Sequence, residues 1–176
     1  MKNFITLAIV LICTLNSQAQ IKIGIKAGAN FSNLDGTFNT KTRTGFHAGA
    51  VLEIKAFSNF SIQPEVLYSS QGAKFESSTI SEINYNYITV PVLAKYYLLT
   101  DIFSIEAGPQ FAFLVNDNVS NAFKTKSFDF GAVAGVGVNV TKSLFAQAHY
   151  VIGLSDTTTD ANITNRVIQI SVGYFF

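Results

Sequence analysis

Residues 128–140 have the sequence FDFGAVAGVGVNV. The even-numbered residues are all apolar, from Phe128 and Phe130 to Val140, whereas the odd-numbered residues include Asp129, Asn139 and three glycines. Alternation with a period of two is typical of a β-strand, because successive side chains point to opposite faces of a sheet. The stretch therefore predicts a strand with one apolar face and one face of small or polar residues.

The same alternation recurs along the chain and predicts an all-β protein. Its charged fraction of 13% is about half of what is usual for soluble domains, roughly 25%, so much apolar surface must be kept away from water. We predict an eight-stranded antiparallel up-and-down transmembrane β-barrel. The predicted strands are residues 21–31, 44–56, 60–71, 85–98, 102–114, 128–140, 144–154 and 167–176.

The glycines indicate which face of these strands points inward. Ten of the 12 glycines lie on the polar face, and the interior of an eight-stranded barrel is so narrow that it needs very small residues among large ones. A face toward water has no such need, so we expect the apolar face outside, in contact with lipid. These glycines are Gly24, Gly28, Gly45, Gly49, Gly108, Gly131, Gly135, Gly137, Gly153 and Gly173.

The connections alternate in length along the predicted barrel. Short turns are centred on residues 58–59, 100–101 and 141–142, whereas residues 32–43, 72–84, 115–127 and 155–166 form longer polar links. Short turns at one end and long loops at the other are typical of bacterial outer-membrane barrels, with the short turns in the periplasm. An even strand number then predicts that both termini are periplasmic.

The first residues predict export. Lys2 precedes an apolar run over residues 4–15, and Ser17-Gln18-Ala19 has the pattern of a signal-peptidase site. We predict a cleaved signal peptide, residues 1–19, and a barrel domain, residues 20–176, in the outer membrane. Cys13 is the only cysteine, so the mature chain has no disulfide or thiolate site, and 12 basic against 11 acidic residues argue against nucleic-acid binding.

Several motifs together resemble a known family. They are IGIKAGANFS (residues 23–32), SIQPEVLYSSQGAKF (61–75), NYITVPVLAKYYL (86–98), FSIEAGPQFAFLV (103–115), FDFGAVAGVGVNV (128–140) and VGYFF (172–176). The chain resembles the outer-membrane β-barrel family of Bacteroidota known as PorT-like or porin family proteins. The resemblance implies a link to protein secretion, as for PorT, and recognition by the barrel-assembly machinery. That assembly signal would comprise Ile170, Val172, Tyr174 and Phe176.

Charged side chains on the inward face are the candidate functional residues. In so narrow a lumen we expect opposite charges to pair and fill it, although a narrow pore remains an alternative. A soluble secreted barrel that binds a small apolar ligand is a further alternative. The predicted polar network comprises Lys22, Lys26, His47, Glu53, Glu65, Lys95, Glu106, Asp129 and His149.

No catalytic, metal or cofactor site is predicted. His47 and His149 have no third metal ligand at a matched spacing, and His149-Tyr150-Val151 offers no serine two residues after the histidine for an outer-membrane lipase. We therefore predict a non-catalytic protein that acts through its external loops, with outer-membrane lipid and the assembly machinery as partners. Pro64 and Pro109 fall inside strands, where we expect bulges or positions near the membrane interface.

Overall fold

The computed structural model describes residues 20–35, 40–75, 82–99, 101–117, 128–154 and 164–176. These residues form one closed antiparallel barrel in which each strand pairs with its neighbours in sequence and β8 pairs with β1. The strands are β1 Gln20–Asp35, β2 Thr40–Phe57, β3 Phe60–Phe75, β4 Glu82–Leu98, β5 Phe103–Asp117, β6 Phe128–Asn139, β7 Leu144–Gly153 and β8 Thr164–Phe175. The predicted fold class is confirmed, while the predicted signal peptide lies outside the described residues.

Several strands extend further toward the long connections than predicted. β1 and β2 stay paired to Ser32↔Arg43, and β3 pairs with β4 as far as Lys74↔Glu82. Backbone pairing can continue after the apolar band ends, whereas the period-two pattern exists only where one face is apolar. The pattern therefore predicted the apolar part of each strand rather than its hydrogen-bonded length.

The strand register sets the stagger of the barrel. A path of paired residues that starts at Ile21 returns to β1 at Phe31, ten positions along, so the shear number is ten and the strands are tilted. The path follows Ile21↔Ile54, Ile54↔Ile62, Ile62↔Ala94, Ala94↔Ala107, Ala107↔Ala134, Ala134↔Tyr150, Tyr150↔Ile168 and Ile168↔Phe31.

Burial alternates along the strands as the glycine argument predicts. Ile23 is 60% exposed and Val136 57%, although both are large and apolar. The polar face is buried: Gln63 is 0% exposed and Lys95 1%. Glycine provides the room that this face needs, since a Cβ at Gly173 would lie 2.1 Å from the ring of Phe145. The apolar face is therefore the outside of the barrel.

Pro64 and Pro109 do not lie at bulges, so the first of the two expected placements was wrong. Register shifts occur between Thr42 and His47, between Lys55 and Phe57, and between Asn86 and Tyr87, away from Pro64 and Pro109. Pro64 pairs with Val92 and Pro109 with Ala132 in unshifted register, well inside the strands. Among the described residues, no helix is long and apolar enough to cross a membrane.

Candidate functional site: a filled lumen

A closed circuit of side chains, which we call the interior ring, crosses the lumen. Its members follow the order cation, carboxylate, amide, and then repeat that order once. Each is at most 4% exposed, so the circuit is shielded from solvent. In order around the circuit, they are Lys26, Glu65, Gln63, Lys95, Glu106 and Gln147.

The first half of the interior ring joins β1 to β3. The Nζ atom of Lys26 donates to Oε2 of Glu65 at 2.6 Å. Nε2 of Gln63 donates to Oε1 of the same carboxylate, also at 2.6 Å. Both oxygens of Glu65 are thus bonded, which a buried carboxylate requires if its desolvation is to be offset.

The second half joins β4, β5 and β7 and returns to β1. The Nζ atom of Lys95 donates to Oε1 of Gln63 at 2.9 Å and lies 3.4 Å from Oε1 of Glu106. Gln147 donates from Nε2 to Oε2 of Glu106 at 2.8 Å and accepts from Lys26 at 3.2 Å. Two lysines and two glutamates make the ring electrically neutral.

Further polar groups attach to this ring. Nε2 of His149 lies 2.6 Å from Oε2 of Glu106, and Ser104 donates to the other oxygen of that carboxylate at 2.6 Å. Oε2 of Glu53 lies 3.6 Å from Nζ of Lys95. Oε1 of Glu53 accepts hydrogen bonds from the hydroxyl of Tyr97 at 2.6 Å and from that of Ser61 at 2.9 Å.

Aromatic side chains fill the lumen toward the short-turn end. The rings of Phe145 and Phe175 stack with centroids 4.5 Å apart, and Val51 belongs to the same buried cluster. The ammonium of Lys95 lies 5.8 Å from the centroid of Phe145 and 5.3 Å from that of Tyr97. Such cation–π contacts add attraction without requiring water. The aromatic layer therefore packs against the interior ring on its short-turn side.

A second polar cluster binds the closing strand to β1 and β2. Nδ1 of His47 lies 2.7 Å from Oδ1 of Asn30, and Nε2 lies 2.8 Å from the hydroxyl of Ser171. Gln169 also donates to Oδ1 of Asn30, at 3.1 Å, while Nδ2 of Asn30 donates to the carbonyl of Phe46. In the neutral imidazole, Nδ1 therefore donates to Asn30 and Nε2 accepts from Ser171.

The Ser171, His47 and Asn30 contacts have the order of a nucleophile, a base and an orienting group. The sequence did not indicate this arrangement, because Ser171 lies on β8 and meets His47 of β2 only when the barrel closes. Each side chain is at most 1% exposed. A hydrolytic nucleophile must meet its substrate, so we assign these three residues to the packing of the lumen.

The structure distributes the nine predicted lumen residues over four places. Asp129 lies at the long-loop end beside Gln71 and Gln110, around a cavity with room for about one water molecule. Lys22 lies at the short-turn end, with its ammonium 5.7 Å from the centroid of Phe175. His47 belongs to the second cluster. The interior ring and its attached groups include Lys26, Glu53, Glu65, Lys95, Glu106 and His149.

No metal site is evident in the part of the chain that the structure describes. Within those residues, no group of three or more His, Cys, Asp or Glu side chains is placed to hold an ion. Gln63 and Gln147 are the residues that the predicted network lacked. The alternation places both inside, but only the three-dimensional register shows that they connect the charged pairs.

A closed barrel with an apolar exterior and a filled polar lumen defines the class of small transmembrane β-barrels. The family model described as "Outer membrane protein beta-barrel domain" matches residues 16–159, and the chain belongs to this family. It is a protein of the outer membrane. No curated protein sequence matches the chain.

Solved structures of outer-membrane proteins share the fold. Neisserial surface protein A (NspA) is 15% identical with a TM-score of 0.60, covering 91% of this chain and 100% of that one. Ail of Yersinia pestis, in complex with the heparin analogue sucrose octasulfate, is 15% identical with a TM-score of 0.58, covering 89% and 99%. OprG of Pseudomonas aeruginosa is 11% identical with a TM-score of 0.51, covering 90% and 95%. At such identities the likeness shows the fold alone.

Proposed function

We propose that this protein is a non-catalytic outer-membrane barrel with a sealed lumen, whose specific activity resides in the connections at its long-loop end. The observation that carries the proposal is the interior ring. Its six side chains reach across the lumen from five strands and bond to one another. A barrel so occupied is a rigid platform, and the surfaces left to meet external partners are its long connections.

The narrow-pore alternative is disfavoured by the same side chains. An ion would have to break contacts of 2.6 to 3.4 Å in the interior ring and then pass the stacked Phe145 and Phe175. Buried charges that lose one partner are strongly destabilised, so such an opening is costly. The lumen charges act in this proposal as structural pairs rather than as a conduction path.

The soluble-barrel alternative is disfavoured by the outer face. Ile21, Ile23 and Ile25 on β1 are each at least 55% exposed, and Ile168, Ile170 and Val172 on the neighbouring β8 are each at least 49% exposed. A contiguous apolar surface of this kind is not stable in water. Outer-membrane lipid is the partner that we propose for it.

We further propose how the protein reaches that membrane. Residues 1–19 would direct export and be removed, and the barrel-assembly machinery would recognise the alternating Ile170, Val172, Tyr174 and Phe176. Both termini would then lie in the periplasm. A role in secretion, as in PorT, rests on the sequence resemblance alone.

Single-channel recording tests the sealed lumen. The refolded protein, inserted into planar lipid bilayers, is expected to show no steady ion current, because the interior ring and the aromatic layer fill the lumen. A wide porin, refolded and inserted in the same way, is the positive control for insertion. A reproducible steady conductance of the wild-type protein would reject the sealed lumen and favour the narrow pore.

A further inference from the structure

Besides the register shifts described above, three backbone ladders between neighbouring strands each have a gap across which the register is unchanged. The β2–β3 pairing stops at Val51↔Glu65 and resumes at Ile54↔Ile62. The β3–β4 pairing has a gap from Pro64↔Val92 to Leu67↔Thr89, and the β4–β5 pairing has one from Pro91↔Gln110 to Ala94↔Ala107. The register is the same on both sides of each gap, so no bulge causes it.

Each gap contains one proline of the chain. By the register, Pro64 faces Leu52 of β2, Pro91 faces Glu65 of β3, and Pro109 faces Val92 of β4. Proline has no N–H and cannot donate to the ladder, and a membrane offers no water as a substitute. We call the wall from β2 to β5 the proline sector.

The ladders between the other five pairs of neighbouring strands have no such gap. Pairing is recorded without interruption for β5–β6 from Phe103↔Val138 to Phe113↔Phe128, and for β7–β8 from Leu144↔Tyr174 to Ile152↔Arg166. The ladders between β1 and β2, β1 and β8, and β6 and β7 are also continuous over their recorded lengths. The weak backbone pairing is thus confined to one side of the barrel.

Side chains of the interior ring cross the proline sector from within. Gln63 and Glu65 flank Pro64 and both point into the lumen. Lys95 on β4 is central, because its ammonium lies 3.6 Å from Glu53 of β2, 2.9 Å from Gln63 of β3 and 3.4 Å from Glu106 of β5. One ammonium therefore contacts side chains from each of the other three strands of the sector.

We propose that Lys95 is a clasp that holds the proline sector closed in place of the missing backbone hydrogen bonds. When the clasp is released, this sector opens locally while the strands on the other side of the barrel remain paired. The device goes beyond the sealed lumen of the proposed function, because it concerns the barrel wall and assigns a single position at which that wall can part.

Hydrogen exchange of the refolded protein in lipid nanodiscs tests the clasp. Lys95→Met keeps the long apolar stem but removes the ammonium, and amides of β3 and β4 are expected to exchange at least about tenfold faster. Amides of β7 and β8 are expected to keep their wild-type rates. Lys22→Met is the matched control, since Lys22 lies on β1 with its ammonium over the ring of Phe175 of β8, outside the proline sector.

A second substitution tests the link to proline. Pro64→Val restores an N–H opposite Leu52, so Lys95→Met should accelerate exchange in β3 less in the Pro64→Val background than in the wild-type background. If Lys95→Met does not refold, Gln63→Leu takes its place in both backgrounds. Gln63→Leu removes the hydrogen bond from Lys95 to β3. The proposal would be overturned if Lys95→Met accelerated amide exchange equally in all strands or in none. It would also be overturned if the acceleration in β3 were the same with and without Pro64→Val. These comparisons between variants do not depend on whether the wild-type lumen conducts.

Discussion

Gln63 and Gln147 occupy equivalent places in the interior ring, each between a carboxylate and an ammonium. Nε2 of each amide donates to a glutamate and Oε1 accepts from a lysine. Glutamine suits both places because one planar group supplies a donor and an acceptor. A leucine there would leave buried charges short of a partner, and a glutamate would bring two carboxylates together.

The sequence predicted the inward direction of these side chains but not their partners. Period-two alternation places Lys26, Glu65 and both glutamines on the lumen face. It contains no information on which of them meet across the barrel, because that depends on the shear of ten positions and on the rotamers. Pairing between Lys26 on β1 and Glu65 on β3, two strands apart, is a property of the closed barrel.

The outward direction of Ala134 gives a prediction for a single residue. Ala134 lies in the middle of β6 on the outer face, so Ala134→Arg would place a charge in hydrocarbon at a cost of about 2 to 4 kcal/mol. We expect little or no folded protein by heat-modifiable mobility in gel electrophoresis. Val140→Arg is the matched control on the same face near the turn, where the cost is about 0 to 1 kcal/mol. Equal folding of both variants would contradict a lipid-facing Ala134.

The sequence predicted the apolar part of each strand, but not its full paired length or its gaps in pairing. The apolar alternation predicted β6 and β7 almost to their ends, because their apolar faces cover most of their length. It missed the ends of β1 to β5 and of β8 at the long connections, where backbone pairing continues beyond the alternating stretch. It also could not show that Pro64, Pro91 and Pro109 interrupt three adjacent ladders, since that requires the register between strands.

The closing strand β8 gives a prediction at the scale of the element. Phe176 donates its backbone N–H to the carbonyl of Ile23 at 2.9 Å, and its ring makes an edge contact with Tyr174. Burial of this ring at the membrane interface stabilises the folded barrel by about 1.5 to 3 kcal/mol. This amount is too small to decide whether a whole barrel forms. We therefore expect deletion of Phe176 to block insertion in cells but to allow refolding in lipid vesicles, with a modest loss of stability.

The control for this deletion is Phe176→Tyr, which keeps a terminal aromatic ring. Its amount in the outer-membrane fraction, measured by immunoblotting after membrane separation, is expected to match that of the wild type. The deletion variant should instead accumulate in the periplasm. Equal amounts of all three proteins in the outer membrane would show that the residue contributes only to strand packing.

At the scale of the whole molecule, the barrel has its polar residues inside and its apolar residues outside. Inside, the aromatic pair, the interior ring and the His47 cluster fill successive levels of the lumen. Outside, apolar side chains on every strand face the hydrocarbon. The sequence predicted this inversion from its glycines, because only a narrow interior requires so many of them on the polar face.

The same architecture predicts the direction of the barrel in the membrane. Outer-membrane barrels expose their long connections to the outside and their short turns to the periplasm. A protease-cleavable tag inserted at residues 118–127, between β5 and β6, should therefore be cut by protease added to intact cells. The same tag at residues 140–143, between β6 and β7, is the matched control on the opposite end of β6 and should be cut only after the cells are lysed.

Both insertions must first show heat-modifiable folded protein, so that cleavage reports sidedness rather than unfolding. Cleavage of the second tag but not the first on intact cells would reverse the orientation and place both termini outside, because eight strands return the chain to the side on which it began.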